Sequence, residues 1–570
     1  MLKTCSKILI LIVLTVTACS MPIAEPTILE PLGLVTPTKT VVSTTVSEEG
    51  GGDSAESTTV SQQIPIITPT MTTPPLTTDT TPDVQRWTVS ANASVPSTWQ
   101  AAVEQLPDFT PISEKGDVQL AIRQGEIIAY ATYALVVPLY SFTESATQDE
   151  VRQRWLAEVP QLAGSTETLT AFSQIWGHSG AGVLAIDDPQ ALADRVWAQD
   201  EVWGIVPLMG LSAEYKTLAI DGQSPLDPKM DANTYLLRLP IGAVSKDGQA
   251  VAQLQKTWQP AAFEWQPERF TRVAMTGVTA LVRATAFRME QNGILWPGEE
   301  VREVLNSADI AHLSNEVAFV EDCPYPSFVG GTRFCSDIRY FELIQDLGID
   351  VMELTGNHVN DYGADAFTRS IQRYVDAGMK YFGGGVNSAD AQTAAAVFNE
   401  DNGNRIAFLG CNPVGPSYAW AGESSAGSRP CDPEIELSIR ELAADGVIVI
   451  MTLQYHEHYF YQPTYQQQLD FRRYVDAGAS IVSGSQGHHV QGFDLYGDGF
   501  IHYGLGNLFF DQMQMLGTRQ VMIDEYIIYN GQLVGVEFTT GLIEDYARPR
   551  LMSADEEQQL FQTLFDVSTR

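Results

Sequence analysis

The chain has 570 residues, 44% of them hydrophobic, and carries 70 acidic against 33 basic side chains for a formal charge of -37. That length leaves room for several domains and the apolar fraction supports a folded core. So acidic a chain repels phosphate backbones and lacks the Lys and Arg needed to displace their counterions, which excludes nucleic acid as a partner.

At the N-terminus, Lys3 and Lys7 precede an apolar run from Ile8 to Val16, and Thr17-Ala18-Cys19 closes it. A basic start, a run too short to span a bilayer and small residues at its end predict a secretory signal peptide. The Val-Thr-Ala-Cys ending resembles a bacterial lipobox, so residues 1–19 are expected to be a lipoprotein signal, cleaved before Cys19, whose thiol carries the lipid. Residues 20–86 are rich in Thr, Pro and Ser and cannot bury enough apolar surface to offset their ordering entropy. They are expected to form a disordered tether that holds the folded part on the order of 45 Å from the membrane. This places the protein outside the cytoplasm, anchored to the membrane by lipid.

Four further cysteines fall in two Pro/Gly-rich loops, Cys323 with Cys335 and Cys411 with Cys431. Outside the cytoplasm, such a pattern predicts two local disulfides. A zinc cluster is the rival reading, and no Cys-x-x-Cys spacing supports it.

Residues 87–265 alternate short strands and helices. Val118 to Ile122 and Ile127 to Val137 are expected strands, while Gln148 to Val159 and Pro189 to Trp197 are expected helices. Two apolar runs, Leu135 to Tyr140 and Gly204 to Met209, each leave a sheet at a proline. This α/β region resembles the lobes of periplasmic-type solute-binding proteins by pattern, without a diagnostic motif, and a plain α/β support domain fits as well.

Residues 266–570 repeat one arrangement, an apolar strand followed at once by a loop with side chains able to bind a ligand. Thr271 to Met275 leads into Thr276-Gly-Val-Thr279, Ala308 to Leu313 into Ser314-Asn-Glu316, and Asp350 to Leu354 into Asn357-His358. Val447 to Leu453 leads into Tyr455-His-Glu-His458, and Ala479 to Val482 into Ser483-Gly-Ser-Gln-Gly-His-His489. Ligands collect at the carboxyl ends of strands in open α/β sheets, and histidine is chiefly a ligand, an acid/base group or core filler. Five histidines beyond such strand ends therefore predict one shared site.

The ordered set Asn315-Glu316, Gly356-Asn357-His358 with Asp361-Tyr-Gly363, His456, Gly-Ser-Gln-Gly-His488 with Gln491, and Tyr503-Gly-Leu-Gly-Asn507 resembles the CapA family of poly-γ-glutamate capsule biosynthesis proteins. The resemblance covers roughly Phe270 to Gln512. It implies a metallophosphatase-like four-layer αββα sandwich with a divalent ion, Mn²⁺ or Zn²⁺, at one sheet edge. It further implies Glu316, Asn357, His456 and His488 as metal ligands, with Gln486 a weaker neighbour. His358 would act as proton donor to a leaving group, with Asp361 as its orienting partner or a helix cap.

Three positions depart from the family pattern. Val278 stands where a Gly-Asp pair supplies aspartate, Gln486 where a His-Pro-His element supplies its first imidazole, and Phe460 where a glutamate follows the strand-end histidine. Two-metal hydrolysis needs anionic ligands for both cations. The remaining donors admit one metal rather than two, a rearranged site using Glu457 and His458, or a relic that binds without turnover. Three functions follow: capsule or poly-γ-glutamate polymer synthesis or export, an extracytoplasmic metal-dependent hydrolase of phosphoester or amide bonds, and a non-catalytic ligand-binding lipoprotein. The expected partner is an anionic polymer or a small molecule.

Overall fold

The strands of the second region alternate between two apolar layers, and that alternation builds the fold. Along Phe270–Thr276, Val273 and Met275 point into a core between two sheets while Ala274 points to the helix side. Ile310 and Val351 face inward and their neighbours Ala311 and Met352 outward. In the opposing sheet, Ile448 and Ile450 face inward, whereas Val449 and Met451 pack on helices. Side chains on a strand alternate faces with period two, so nearly continuous apolar strands need cover on both sides. The result is the expected αββα sandwich.

The computed structural model describes residues 87–570 apart from 107, 113–114, 199–200, 259–264 and 394. The expected signal, Cys19 and the 20–86 tether lie outside the described residues. In the first of the sandwich's sheets the order is Lys380–Phe382, Val351–Glu353, Ile310–Asn315, Phe270–Thr276, Gln520–Tyr529, Gln532–Glu544, Arg548–Leu551. In the second it is Ala396–Asn399, Arg405–Cys411, Ile448–His458, Ile481–Gly487, Gly499–His502, Phe493–Tyr496. The parallel strands of the two sheets end toward one edge, and the functional loops collect there. Helix Ala364–Asp376 covers the first sheet with Phe367, Ile371 and Tyr374 buried. Helix Tyr465–Asp476 covers the second with Phe471 and Tyr474, its N-terminus closed by a Thr464/Gln467 capping box, which satisfies backbone donors that the first turn leaves orphaned.

Both expected disulfides are present, Cys323 to Cys335 and Cys411 to Cys431. They suit an oxidising, extracytoplasmic compartment. Among the described residues no helix is long and apolar enough to cross a membrane.

The first region is a nine-stranded sheet of its own, ordered Phe109–Pro111, Trp87–Ala91, Val118–Ile122, Arg238–Ser245, Glu126–Pro138, Trp203–Pro207, Leu162–Gly164, Val183–Ala185, with Tyr215–Thr217 on the side. The long strand Glu126–Pro138 ties two half-sheets together, pairing with Arg238–Ser245 up to Thr132 and with Trp203–Pro207 from Tyr133 onward. The two proline-terminated runs are therefore antiparallel neighbours. Helix Gln148–Trp155 ends four residues earlier than expected, because Ala157 to Pro160 turns the chain back to the sheet. An apolar cluster spanning Val136, Val206 and Leu211 of this region and Phe270, Ile527 and Tyr529 of the next joins the two. The C-terminus adds ion pairs from Arg570 to Asp194 and Glu214, both at 2.9 Å.

Candidate functional site

At the shared edge, three acceptor oxygens converge on one amide nitrogen. Gln454 Nε2 donates to Glu316 Oε1 at 2.9 Å and to Gln486 Oε1, and lies 3.4 Å from Asn357 Oδ1. Glu316, Gln454 and Gln486 are buried. Each arrives from a different strand end: Glu316 just past Ile310–Asn315, Asn357 past Val351–Glu353, and the glutamines from Ile448–His458 and Ile481–Gly487. Close approach of the Asn357 turn needs glycine at 356, since a Cβ there would stand 2.6 Å from Glu316 Cα. Gln486 holds φ of 71°, a left-handed conformation that costs a non-glycine residue about 1–3 kcal/mol and concentrates at ligand sites.

Behind this cluster lies a chain of buried polar groups. Ser485 Oγ donates to Gln454 Oε1 at 2.7 Å and also reaches Glu353 Oε1 at 3.1 Å. The Thr355 hydroxyl donates to the same Glu353 oxygen, and His312 Nε2 meets the other at 3.1 Å. Burial pushes the Glu353 carboxyl up, but the hydrogen bonds from His312 and Thr355 outweigh it and hold the group below its ordinary value.

His358 sits at the mouth, with Nδ1 2.7 Å from Asp361 Oδ2. Asp361 also accepts from the Phe334 N–H at 2.8 Å and from the Tyr418 hydroxyl at 3.1 Å. It is thus a fixed partner for the imidazole; the N-cap of the following helix is Gly363. Burial works to lower the His358 pKa, but the Asp361 hydrogen bond and the charges of Glu316 and Asp361 prevail and raise it. A raised folded value means that this pair stabilises the fold fully below the ordinary pKa of 6.5 and that the contribution is lost as pH rises through the folded value. We expect thermal melts across about pH 5.5 to 8.5 to show this alkaline loss in the wild type and to show it diminished in Asp361→Asn, where only the Glu316 charge still favours the imidazolium.

The other expected residues are placed differently. His456 is exposed, in ring contact with Tyr455 and His458, and no hydrogen bond joins it to the cluster. Tyr455 to His458 do not form a loop; they extend the strand across a register shift against Ile481–Gly487, and Gln454 is the residue that faces the cluster. His488 is buried, with Nδ1 2.7 Å from Asn507 Oδ1, its ring stacked on Phe510, and Nε2 3.9 Å from Glu457. His502 pairs with Asp524 in the core at 2.7 Å. Val278 is fully buried, in register with Ser314 and Asn507. Sequence reading missed Gln454, Glu353 and His312. Gln454 carried one usable signal, the polar residue closing the apolar run Ile448 to Leu453.

Beside the mouth is a cavity of about 200 Å³ lined by Arg283, Arg333, Phe334, Tyr362 and the Cys323–Cys335 bridge. Arg283, at φ 45°, is held by Asp511 and lies over the rings of Phe334 and Phe510. Arg333 is exposed, donates to the Asp361 carbonyl at 2.6 Å and covers the Tyr362 ring. Among the described residues it has no carboxylate partner.

Residues 272–512 match the model of a family described as bacterial capsule synthesis protein PGA_cap. This part of the chain is thus similar to the CapA family. The chain is similar to the capsule biosynthesis protein CapA of Bacillus anthracis, 28% identical over 230 residues, 40% of this chain and 56% of that protein. It is similar to the PGA biosynthesis protein CapA of Bacillus subtilis strain 168, 27% identical over 191 residues, 33% of this chain and 50% of that one. The chain thus spans about half the length of the curated relatives it matches. Among solved structures, a putative 5'-nucleotidase from Staphylococcus aureus shares 12% identity over 52% of this chain and 58% of that one, at a TM-score of 0.32, a likeness too distant to bear on activity.

The divalent ion that the CapA resemblance implies is poorly served by this edge. Mn²⁺ and Zn²⁺ favour carboxylates and imidazoles, whereas the converging donors are one carboxylate, Glu316, and the amides of Asn357, Gln454 and Gln486. Among the described residues no three His, Cys, Asp or Glu side chains are grouped to hold a metal. The oxygens converge as ligands would, but the Gln454 amide nitrogen fills their common centre.

Proposed function

We propose that the protein is a lipid-anchored, extracytoplasmic component of capsule or poly-γ-glutamate polymer formation, and that its CapA domain holds the anionic polymer without metal-dependent hydrolysis. The observation that carries this reading is the Gln454-centred cluster, in which three amides and a single carboxylate stand together where two-metal hydrolysis needs several anionic and imidazole donors. Glu316, Asn357 and Gln486 form the floor of the site, and His358 with Asp361 forms its protonatable rim. The open guanidinium of Arg333 offers a local cation for carboxylates beside this site, and its planar fork suits them.

Titration of the purified protein with poly-γ-glutamate tests this. Saturable binding is expected, weakened about tenfold or more in Arg333→Ala, the scale of a lost hydrogen bond to a charged group, with no turnover of a generic phosphodiester in the presence of Mn²⁺ or Zn²⁺. A metal-dependent hydrolase is the second reading, favoured by the protonatable His358 beside Asp361, which suits proton donation to a leaving group. Metal-dependent turnover that His358→Ala abolishes would establish it in place of the first.

A further inference from the structure

The loop that joins Cys323 to Cys335 reaches the His358 turn at three points. Arg333 Nε donates to the Asp361 carbonyl at 2.6 Å, the Phe334 N–H donates to the Asp361 carboxylate at 2.8 Å, and the Phe334 ring lies 4.4 Å from that of His358. The cavity of about 200 Å³ beside His358 is the hollow between this loop and the start of helix Arg283–Asn292.

Its charge is the reverse of the chain's. Of the three ionic side chains in its wall, Arg283 is neutralised by Asp511 and Asp337 by Arg339, the latter at 3.1 Å, which leaves Arg333. One uncompensated positive charge therefore lines this hollow in a chain of formal charge -37. Arg333 is exposed but held in place: its Nε is tied to the Asp361 carbonyl and its carbon lies 4.7 Å from the centre of the Tyr362 ring. Its two Nη groups have no partner among the described residues. A guanidinium fixed at one edge presents the other as a preformed fork, the geometry that takes a carboxylate through two parallel hydrogen bonds.

Size says how much of a ligand enters. Pockets for whole small molecules run to about 300–1,000 Å³, so this smaller hollow takes one unit of a longer molecule. Gly330, Gly331 and Arg333 at its lip are exposed, which lets the rest of that molecule run on outside. Resting on the reading of this domain as a holder of anionic polymer, we propose that the hollow is a subsite for one carboxylate-bearing residue of the chain. The carboxylate sits on the Arg333 fork and the methylenes lie against Pro324, Pro326 and Phe334. The Cys323–Cys335 bridge, itself in the wall, closes the loop that carries Arg333. A free monomer makes only this contact, whereas a chain adds others at the polar mouth, so affinity rises with length.

Titration of the intact purified chain with glutamate, a γ-linked glutamate tetramer and poly-γ-glutamate tests the proposal. The tetramer is expected to bind about tenfold or more tighter than the monomer. Gly331→Leu is the blocking variant: Gly331 lines the hollow, its backbone is not left-handed, and a Cβ there meets nothing within 4 Å. The new side chain should weaken tetramer and polymer binding on the order of tenfold or more, with an unchanged melting temperature. Arg333→Lys, which keeps the charge and loses the fork, should also weaken both. Polymer affinity that Gly331→Leu leaves unchanged, or a monomer that binds as tightly as the tetramer, would overturn the subsite and leave the function proposed for the domain standing. Absence of polymer binding to the wild-type chain would overturn both.

Discussion

Replacing His312 by alanine is expected to destabilise the fold by about 1–3 kcal/mol, the cost of leaving a buried carboxylate without one of its hydrogen-bond donors; the imidazole Nδ1 accepts from the Thr276 N–H, so Nε2 donates to Glu353. His312 and Glu353 are 1% and 2% exposed and lie on neighbouring parallel strands, His312 in register with Val351. Without the imidazole, Glu353 keeps its desolvation cost and loses the interaction that holds its carboxyl below the ordinary value. The sign of the pH effect follows. A lowered folded pKa contributes stability above the unfolded value, and that contribution is lost as pH falls through the folded value. Urea unfolding at neutral pH should therefore show a lower midpoint for His312→Ala with an unchanged slope, and the gap from wild type should narrow as pH falls below the ordinary carboxyl value of 4.5. A constant gap down to that range would mean that packing of the His312 ring against Phe382 and Phe408 carries the loss. Because Ser485 links Glu353 to Gln454, the same variant should also loosen the site.

The second large effect is a gain. Gln454→His combined with Gln486→His is expected to raise Zn²⁺ affinity on the order of a hundredfold, about 3 kcal/mol. The change supplies two imidazoles where Glu316 and Asn357 already converge, and imidazole and carboxylate are ligands that Zn²⁺ favours. The substitution at 486 is tolerable because histidine is among the residues enriched at positive φ, and position 486 sits at φ 71°. Equilibrium dialysis with metal analysis would measure it. If the double variant binds no more Zn²⁺ than wild type, the acceptors do not share a centre, and the account of this edge as an amide-filled ligand site fails. Asp at 278 is a poorer first choice, since Val278 is wholly enclosed and an uncompensated charge there costs folding stability.

Much of this organisation was legible in the chain itself. Runs such as Ile448 to Leu453 are apolar on both faces, so their strands had to be covered on both sides; two stacked sheets with helices outside is what the family resemblance implied. The cysteines fall in two close-spaced pairs, which leaves little choice of partner. The losses at Val278 and Gln486 were visible against the family motifs, and the pairing of His358 with Asp361 was one of two roles left open for that carboxylate, the structure placing Gly363 at the cap instead.

Which side chain of Ile448–His458 reaches the site was not legible, and His456 was the natural expectation. Alternation says that 454 and 456 share a face; it does not say where the sheet edge falls. That is set by the register of this strand against Ile481–Gly487, which matches Gln454 with Ser485 and then slips. Pairs such as His312 with Glu353, 41 residues apart, are likewise invisible until strand order is known. Local chemistry and periodicity, written residue by residue, determined which strands need cover on both faces, the disulfides and the loops that gather at the site. Register and strand order, which are relations between distant segments, decided what stands at its centre.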